Sequence, residues 1–176
     1  MDRVCRWGGA AMKWIYFFGS IDGRIGRKTF WLTSIAIFAA EFVAAFVGAL
    51  IIALLSGDLE AKAGDLWIDA VLLIFLYPQF IIDVKRGHDR NIPIWVIGVF
   101  YAALVADYFL VEFGWLTDWP DQNVTSSVNV VSFIVVILLG IFALAFLVEL
   151  GFRKGTTGPN RYGPDPLGPQ PLPPRG

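Results

Sequence analysis

The sequence predicts an all-α fold, a four-helix transmembrane bundle with both termini in the cytoplasm. Three observations carry that reading. The chain has 176 residues, of which 56% are hydrophobic and 16% charged, whereas soluble domains average about 45–50% apolar and about 25% charged. The apolar residues gather into four runs, each near the ~20 residues that cross a hydrocarbon core of roughly 30 Å. Thirteen of the fourteen lysines and arginines lie on one side of those runs, the distribution the positive-inside rule describes.

Residues 1–29 form an N-terminal cytoplasmic, interfacial segment carrying Arg3, Arg6, Lys13, Arg24, Arg27 and Lys28. Its apolar patch, Trp14 to Phe18, is too short for a signal peptide and no small-residue cleavage site follows it. Glycines 19, 23 and 26 disfavour helix there, Phe30 and Trp31 suit the membrane interface, and Thr29 is the expected cap of the first span. The membrane domain is residues 30–152. Its first span covers about 30–55, and the loop after it holds Asp58, Glu60, Asp65 and the remaining basic residue, Lys62.

The second span covers about 66–84. Pro78 within it is expected to kink the helix and free the carbonyl of Ile74, with Tyr77 and Gln79 at hand to satisfy it. Lys85 to Asn91 reads as a tight basic loop closed by Pro93 at the start of the third span, about 94–113. The next loop carries Asp118, Asp121 and an Asn123-Val-Thr125 sequon. The fourth span covers about 128–150. Its run Ile134 to Val148 has no polar residue, so it has no face to offer water, which excludes a soluble bundle. Residues 153–176 form a cytoplasmic glycine- and proline-rich tail. Six prolines from Gly163 onward predict an extended, mobile end.

One cysteine and one histidine exclude a disulfide framework, thiolate metal sites and multi-histidine metal centres. No metal or cofactor is expected, and the composition also excludes a nucleic-acid-binding surface. What stands out is three segments that meet on the cytoplasmic side: GRIGRKTFW at 23–31, KRGHD at 85–89 and KGTTGPNRYGPDP at 154–166. Arg24, Arg27, Lys28, Lys85, Arg86, His88, Asp89, Arg90 and Arg161 are the candidate lipid- or ligand-binding residues. One reading is a cap in which Asp22, Asp83, Asp89 and Asp165 pair with the arginines. The other is a basic pocket for the phosphate of an anionic lipid or soluble ligand. His88 beside Asp89 invites a catalytic reading, but no serine or cysteine nucleophile accompanies them, and neighbours in a chain rarely point the same way.

The order of these three motifs around hydrophobic spans resembles domain-of-unknown-function family 805 (DUF805), small proteins found mainly in bacterial inner membranes. The resemblance covers about residues 17–167. The family usually continues past its His-Asp motif with a glycine-containing stretch and paired aromatics. This chain instead runs Asn91-Ile-Pro-Ile-Trp95. The resemblance implies an integral, multi-pass inner-membrane protein and no established activity.

Two acids lie near the midplane, Glu41 in the first span and Asp107 in the third, with no basic residue in any span to pair with. An unpaired charge there costs about 2.5–3.5 kcal/mol even on lenient insertion scales. Ala36, Ala40, Ala44 and Gly48 form a small-residue stripe on the first span, and Gly98, Ala102 and Ala106 form one on the third. Such stripes predict a close contact between those two spans, bordered by the acids. The expected role is a non-enzymatic membrane interaction or scaffold component whose basic face meets anionic headgroups or a partner protein, including another copy of itself. A small transporter or channel using Glu41 and Asp107 is the second reading, and an enzyme acting on lipid the third.

Overall fold

The computed structural model describes residues 17–57, 62–113 and 130–168. The first three residues of the Trp14–Phe18 patch, the sequon, the acids at 58, 60, 118 and 121 and the proline-rich end of the tail lie outside them. Among the described residues the chain is all-helical: α1 is Arg27–Ser56, α2 Lys62–Asp89, α3 Ile94–Glu112 and α4 Val130–Phe146. A π-helical turn, Leu147–Phe152, continues α4. All four helices are long and apolar enough to cross a membrane.

α1 begins earlier than the sequence reading placed it. Gly26 is its N-cap and supplies no side-chain bond, so Thr29 sits inside the helix rather than capping it. The apolar run begins at Phe30, but arginine and lysine are good helix formers and extend the helix outward. α1 ends at Gly57, whose φ of 70° is left-handed and whose N–H donates to the carbonyl of Ala53. Glycine takes that conformation without the steric cost of a Cβ.

α2 runs five residues beyond its expected apolar end, so Lys85 to Asp89 are helical rather than a loop. Charge sets where the hydrocarbon stops, not where the helix does. The helix closes in a Schellman motif: Ile92 N–H bonds the Gly87 carbonyl at 2.8 Å and Asn91 N–H the His88 carbonyl at 3.1 Å. Asn91 takes the left-handed position, at φ 60°, which asparagine tolerates better than most residues. Pro78 is accommodated within α2. Gln79 does not serve the freed carbonyl; its amide donates to Ser34 Oγ and Asp83 Oδ1.

α1 packs mainly along α2, and α3 packs on α2 and α4. α1 and α3 share no Cα pair within 8 Å, so the predicted contact between their small stripes does not form. Gly48 instead receives the Trp67 indole of α2: a Cβ there would lie 1.9 Å from its Nε1, and that N–H donates to the Ala44 carbonyl at 3.0 Å. The small residues serve a neighbour in sequence, with an aromatic ring filling the groove.

Buried apolar residues concentrate at the end where α1 begins and α2 ends. One cluster joins Ile25, Phe30, Ile37, Ile82 and Leu150; another joins Val84, Ile97 and Tyr101. Elsewhere large apolar side chains stand exposed, including Phe46, Leu54, Leu55, Ile74, Phe142 and Leu144. Soluble monomers rarely expose contiguous apolar patches beyond a few hundred Å², so these faces fit lipid. The chain is a multi-pass membrane protein.

Candidate functional site

The three motif segments converge at one end of the bundle on Asp89. A helix ends with four carbonyls that its own ladder cannot satisfy, and the π turn closing α4 points its carbonyls at donors from elsewhere. Arg86 Nε donates to the Leu150 carbonyl at 2.6 Å, Trp31 Nε1 to Gly151 at 3.0 Å and Arg27 Nη1 to Phe152 at 3.2 Å. Arg86 Nη2 reaches Arg153 O at 2.6 Å, and Arg90 Nη1 bonds Lys154 O. Five consecutive carbonyls are thus capped from α1 and the end of α2. Three of the donors are arginines, whose positive charge also suits a helix C-terminus.

Arg86 is fully buried. Besides those carbonyls it bonds Asp89 Oδ2 one turn along α2 and, at 3.4 Å, the Ile25 carbonyl. Arg24 approaches Asp89 from the other side, with Nε and Nη2 at 3.2 and 2.9 Å from Oδ1. Its remaining N–H groups bind the tail: Gly158 O at 2.8 Å, Gly163 O at 3.2 Å and Thr156 O at 2.6 Å. The Arg24 and Asp89 side chains are 1% and 5% exposed. A buried carboxylate between two guanidiniums that are themselves bonded to backbone carbonyls meets the condition under which a buried ion pair is tolerated.

The tail wraps this centre instead of trailing away. Thr156 N–H donates to the Asp89 carbonyl at 2.8 Å, and Asn160 Nδ2 to that of His88 at 2.9 Å. Gly155 passes so close that a Cβ would lie 1.9 Å from Asp89 Oδ2. Asp165 accepts the backbone N–H groups of Gly158 and Leu167, both at 2.9 Å. Those two bonds, aided by the charge of Arg24, hold its carboxyl below the ordinary value of 3.8. Residues 163–168, expected to be mobile, are therefore tied down by one aspartate and one arginine.

His88 and Asp89 face different partners, as adjacent helical residues must. The His88 Nδ1–H donates to Gly23 O at 3.2 Å, and its ring stacks on Tyr162 with centroids 3.8 Å apart and planes at 7°. The Arg161 guanidinium lies over the opposite partner of that stack, 4.6 Å from the Tyr162 centroid. Lys85 Nζ donates to Phe17 O at 2.5 Å. Arg90 binds Glu149 through Nε and Nη2, at 3.0 and 2.7 Å, and Arg153 takes the other Glu149 oxygen at 2.5 Å. That carboxylate raises the Arg153 pKa above its usual value.

Of the acids expected to pair with arginines, only Asp89 does so directly. Asp22 is bonded by Ser20, Asp165 by backbone, and Asp83 lies inside the bundle on Tyr101 and Gln79. Glu149 takes the pairing role instead; its place one turn from Arg153 was the available signal. Lys28 is exposed. Glu41 and Asp107 sit apart on α1 and α3, and Asp107 Oδ1 is buried without a hydrogen-bond partner. Among the described residues no three His, Cys, Asp or Glu side chains gather as a metal site would need.

A cavity of about 250 Å³ opens beside the ion pair, lined by Arg27, Arg86, Asp89, Lys154, Thr157 and Asp165 among others. No curated protein and no solved structure matches the chain. The family described as "Protein of unknown function (DUF805)" matches residues 18–164, a stretch that begins just before the first motif and ends within the third. The chain belongs to the DUF805 family.

Proposed function

We propose that the protein is a non-enzymatic interaction component of the bacterial inner membrane, with both termini cytoplasmic and its basic end against anionic headgroups. The observation that carries this is how the cations of that end divide. Arg24, Arg86 and Arg90 are spent on internal carboxylates and carbonyls, and they knit the motifs into a cap. Arg27, Lys28, Arg153, Lys154 and Arg161 remain exposed around it. Each basic residue near an anionic surface contributes about 1 kcal/mol of attraction, so this rim favours acidic leaflets without needing a substrate.

The orientation rests on the thirteen-to-one partition of basic residues. A transport route through Glu41 and Asp107 loses its geometric support, because their helices do not meet. The rim is tested by reconstituting the full chain in nanodiscs of phosphatidylcholine with or without phosphatidylglycerol. Anionic lipid should raise Tm in the native chain. It should raise it much less when Lys28, Lys154 and Arg161 are all changed to Gln. An equal rise in both proteins would refute the lipid-facing role. For orientation, impermeant thiol labels at Gly57→Cys and Asn123→Cys should react from the periplasmic side only.

A further inference from the structure

The cavity of about 250 Å³ beside the Asp89 ion pair is walled on one side by the start of α1 and on the other by the segment that follows the π turn. The donors on that wall are not all spent on the cap. Arg27 gives Nη1 to the Phe152 carbonyl at 3.2 Å, while its Nε and Nη2 have no acceptor among the described residues. The Lys154 carbonyl is taken by Arg90, but the Lys154 ammonium has no partner among those residues. Arg86, fully buried on the same wall, keeps one Nη2 N–H beyond its bonds to Leu150 O, Ile25 O, Asp89 and Arg153 O. The backbone N–H groups of Gly155 and Thr157 also lack an acceptor among the described residues.

These donors define what the cavity takes. Guanidinium, ammonium and backbone N–H groups suit an acceptor-only anion, and arginine and lysine are the usual partners of phosphate. A carboxylate offers two oxygens in one plane, too few for donors that come from two separate segments, whereas the oxygens of a phosphate are spread tetrahedrally. The acids on the wall do not reverse its sign. Asp89 is held between Arg24 and Arg86, Asp165 is bonded by the Gly158 and Leu167 N–H groups, and Arg24, Arg27, Arg86 and Lys154 outnumber these two carboxylates. The Gly26 N-cap adds no side-chain bond to the first turn of α1, so the positive end of that helix also faces the cavity. The volume is that of roughly eight liquid waters at about 30 Å³ each, room for a phosphate and the few carbons esterified to it. Pro166 and Leu167 give those carbons an apolar side. Arg27 lies less than one turn before the apolar run at Phe30, which puts the cavity at headgroup level.

We propose that this cavity is a seat for the phosphate of a phosphate ester, held by Arg27, Lys154 and the backbone N–H groups of Gly155 and Thr157. On the lipid-facing reading, on which this assignment rests, the rim attracts an anionic leaflet as a whole and the cavity fixes one phosphate of it. The same donors suit the phosphate of a soluble ester, and competition between the two sources separates them.

The test uses the full chain in dodecyl maltoside, which carries no phosphate, titrated with glycerol 3-phosphate at constant ionic strength against sodium chloride. Tm should rise saturably with the ester and stay flat with chloride. Thr157→Phe, at an exposed position on the cavity wall, fills the space without changing the charge and should abolish the saturable rise. Lys154→Gln removes one donor and should weaken apparent affinity about tenfold; it keeps the proposal open to refutation if Thr157→Phe does not fold. With phosphatidylglycerol added to the micelles, a lipid phosphate in the seat should leave the ester without effect, whereas a seat for soluble esters should still give the saturable rise. Thr157→Phe keeps every rim cation, so the rise in Tm that phosphatidylglycerol causes in nanodiscs should persist in part. Loss of that rise in the native chain is failure of the rim; an absent ester response with that rise intact is failure of the cavity alone. A Tm that does not rise with the ester, or a saturable rise equal in the native chain, Thr157→Phe and Lys154→Gln, would overturn the proposal.

Discussion

At the scale of single residues, Arg86 and Asp89 carry the structure of the basic end. Arg86 is buried without exposure, and its guanidinium serves two carbonyls of the α4 terminus as well as Asp89. Arg86→Met keeps the apolar stem and removes every one of those bonds. The expected loss is about 3–5 kcal/mol, the range for breaking a buried ion pair by deleting one partner, read as a lowered Tm in detergent. Lys28→Gln, on the exposed rim, should change stability by less than about 0.5 kcal/mol in the same assay. Asp165 gives a pH dependence of known sign. Its carboxyl is held low by the Leu167 and Gly158 amides, so its contribution to tail docking is complete above the ordinary value of 3.8. The contribution is lost as pH falls through the lowered folded value. Tail protection against protease or hydrogen exchange should therefore persist through neutral and mildly acidic pH and fail only in strong acid. Asp165→Asn should weaken it at neutral pH and flatten the acid dependence.

At the scale of elements, the spans were legible and their contacts were not. Length and hydropathy placed all four helices to within a few residues, because a bilayer needs a fixed apolar length. They could not say that α2 continues to Asp89, since hydropathy ends at the first lysine while hydrogen bonding does not. Small-residue stripes identified faces that accept close neighbours but not which neighbour. Gly48 accommodates Trp67, and the glycine and the ring are both plain in the sequence, but their meeting depends on how α1 lies along α2. Gly48→Leu should displace the Trp67 ring and separate α1 from α2 at that contact. The expected reading is a blue shift in tryptophan fluorescence as the indole leaves the Ala44 carbonyl for lipid, together with a loss of about 1–3 kcal/mol, the typical cost of overpacking. An unchanged spectrum and Tm would show that the two helices do not pack there.

At the scale of the whole molecule, the candidate residues were found by type and position, yet their roles were divided by geometry. The sequence named Arg24, Arg86, Asp89 and Arg90 alongside Arg27, Lys28 and Arg161 as one basic group. Only folding separates the first set, committed to internal carboxylates and carbonyls, from the second, left at the surface. Asp83 was misread for the same reason: three residues separate it from Arg86, and one helical turn puts it inside the bundle instead of among the arginines. Acids near the midplane drew attention because they are costly there, whereas the polar chain Ser34–Gln79–Asp83–Tyr101 is spread over three helices and leaves no local pattern beyond the i, i+4 pair on α2.

Asp89 is the shared acid that locks the first motif to the second and third. A double-mutant cycle on Arg24→Gln and Asp89→Asn, read by equilibrium unfolding in detergent, tests it most directly. The two single changes should each be strongly destabilising and the pair less so than their sum, with a coupling of at least about 1.5 kcal/mol. Additive effects would contradict it, since they would mean that the arginine and the aspartate act independently.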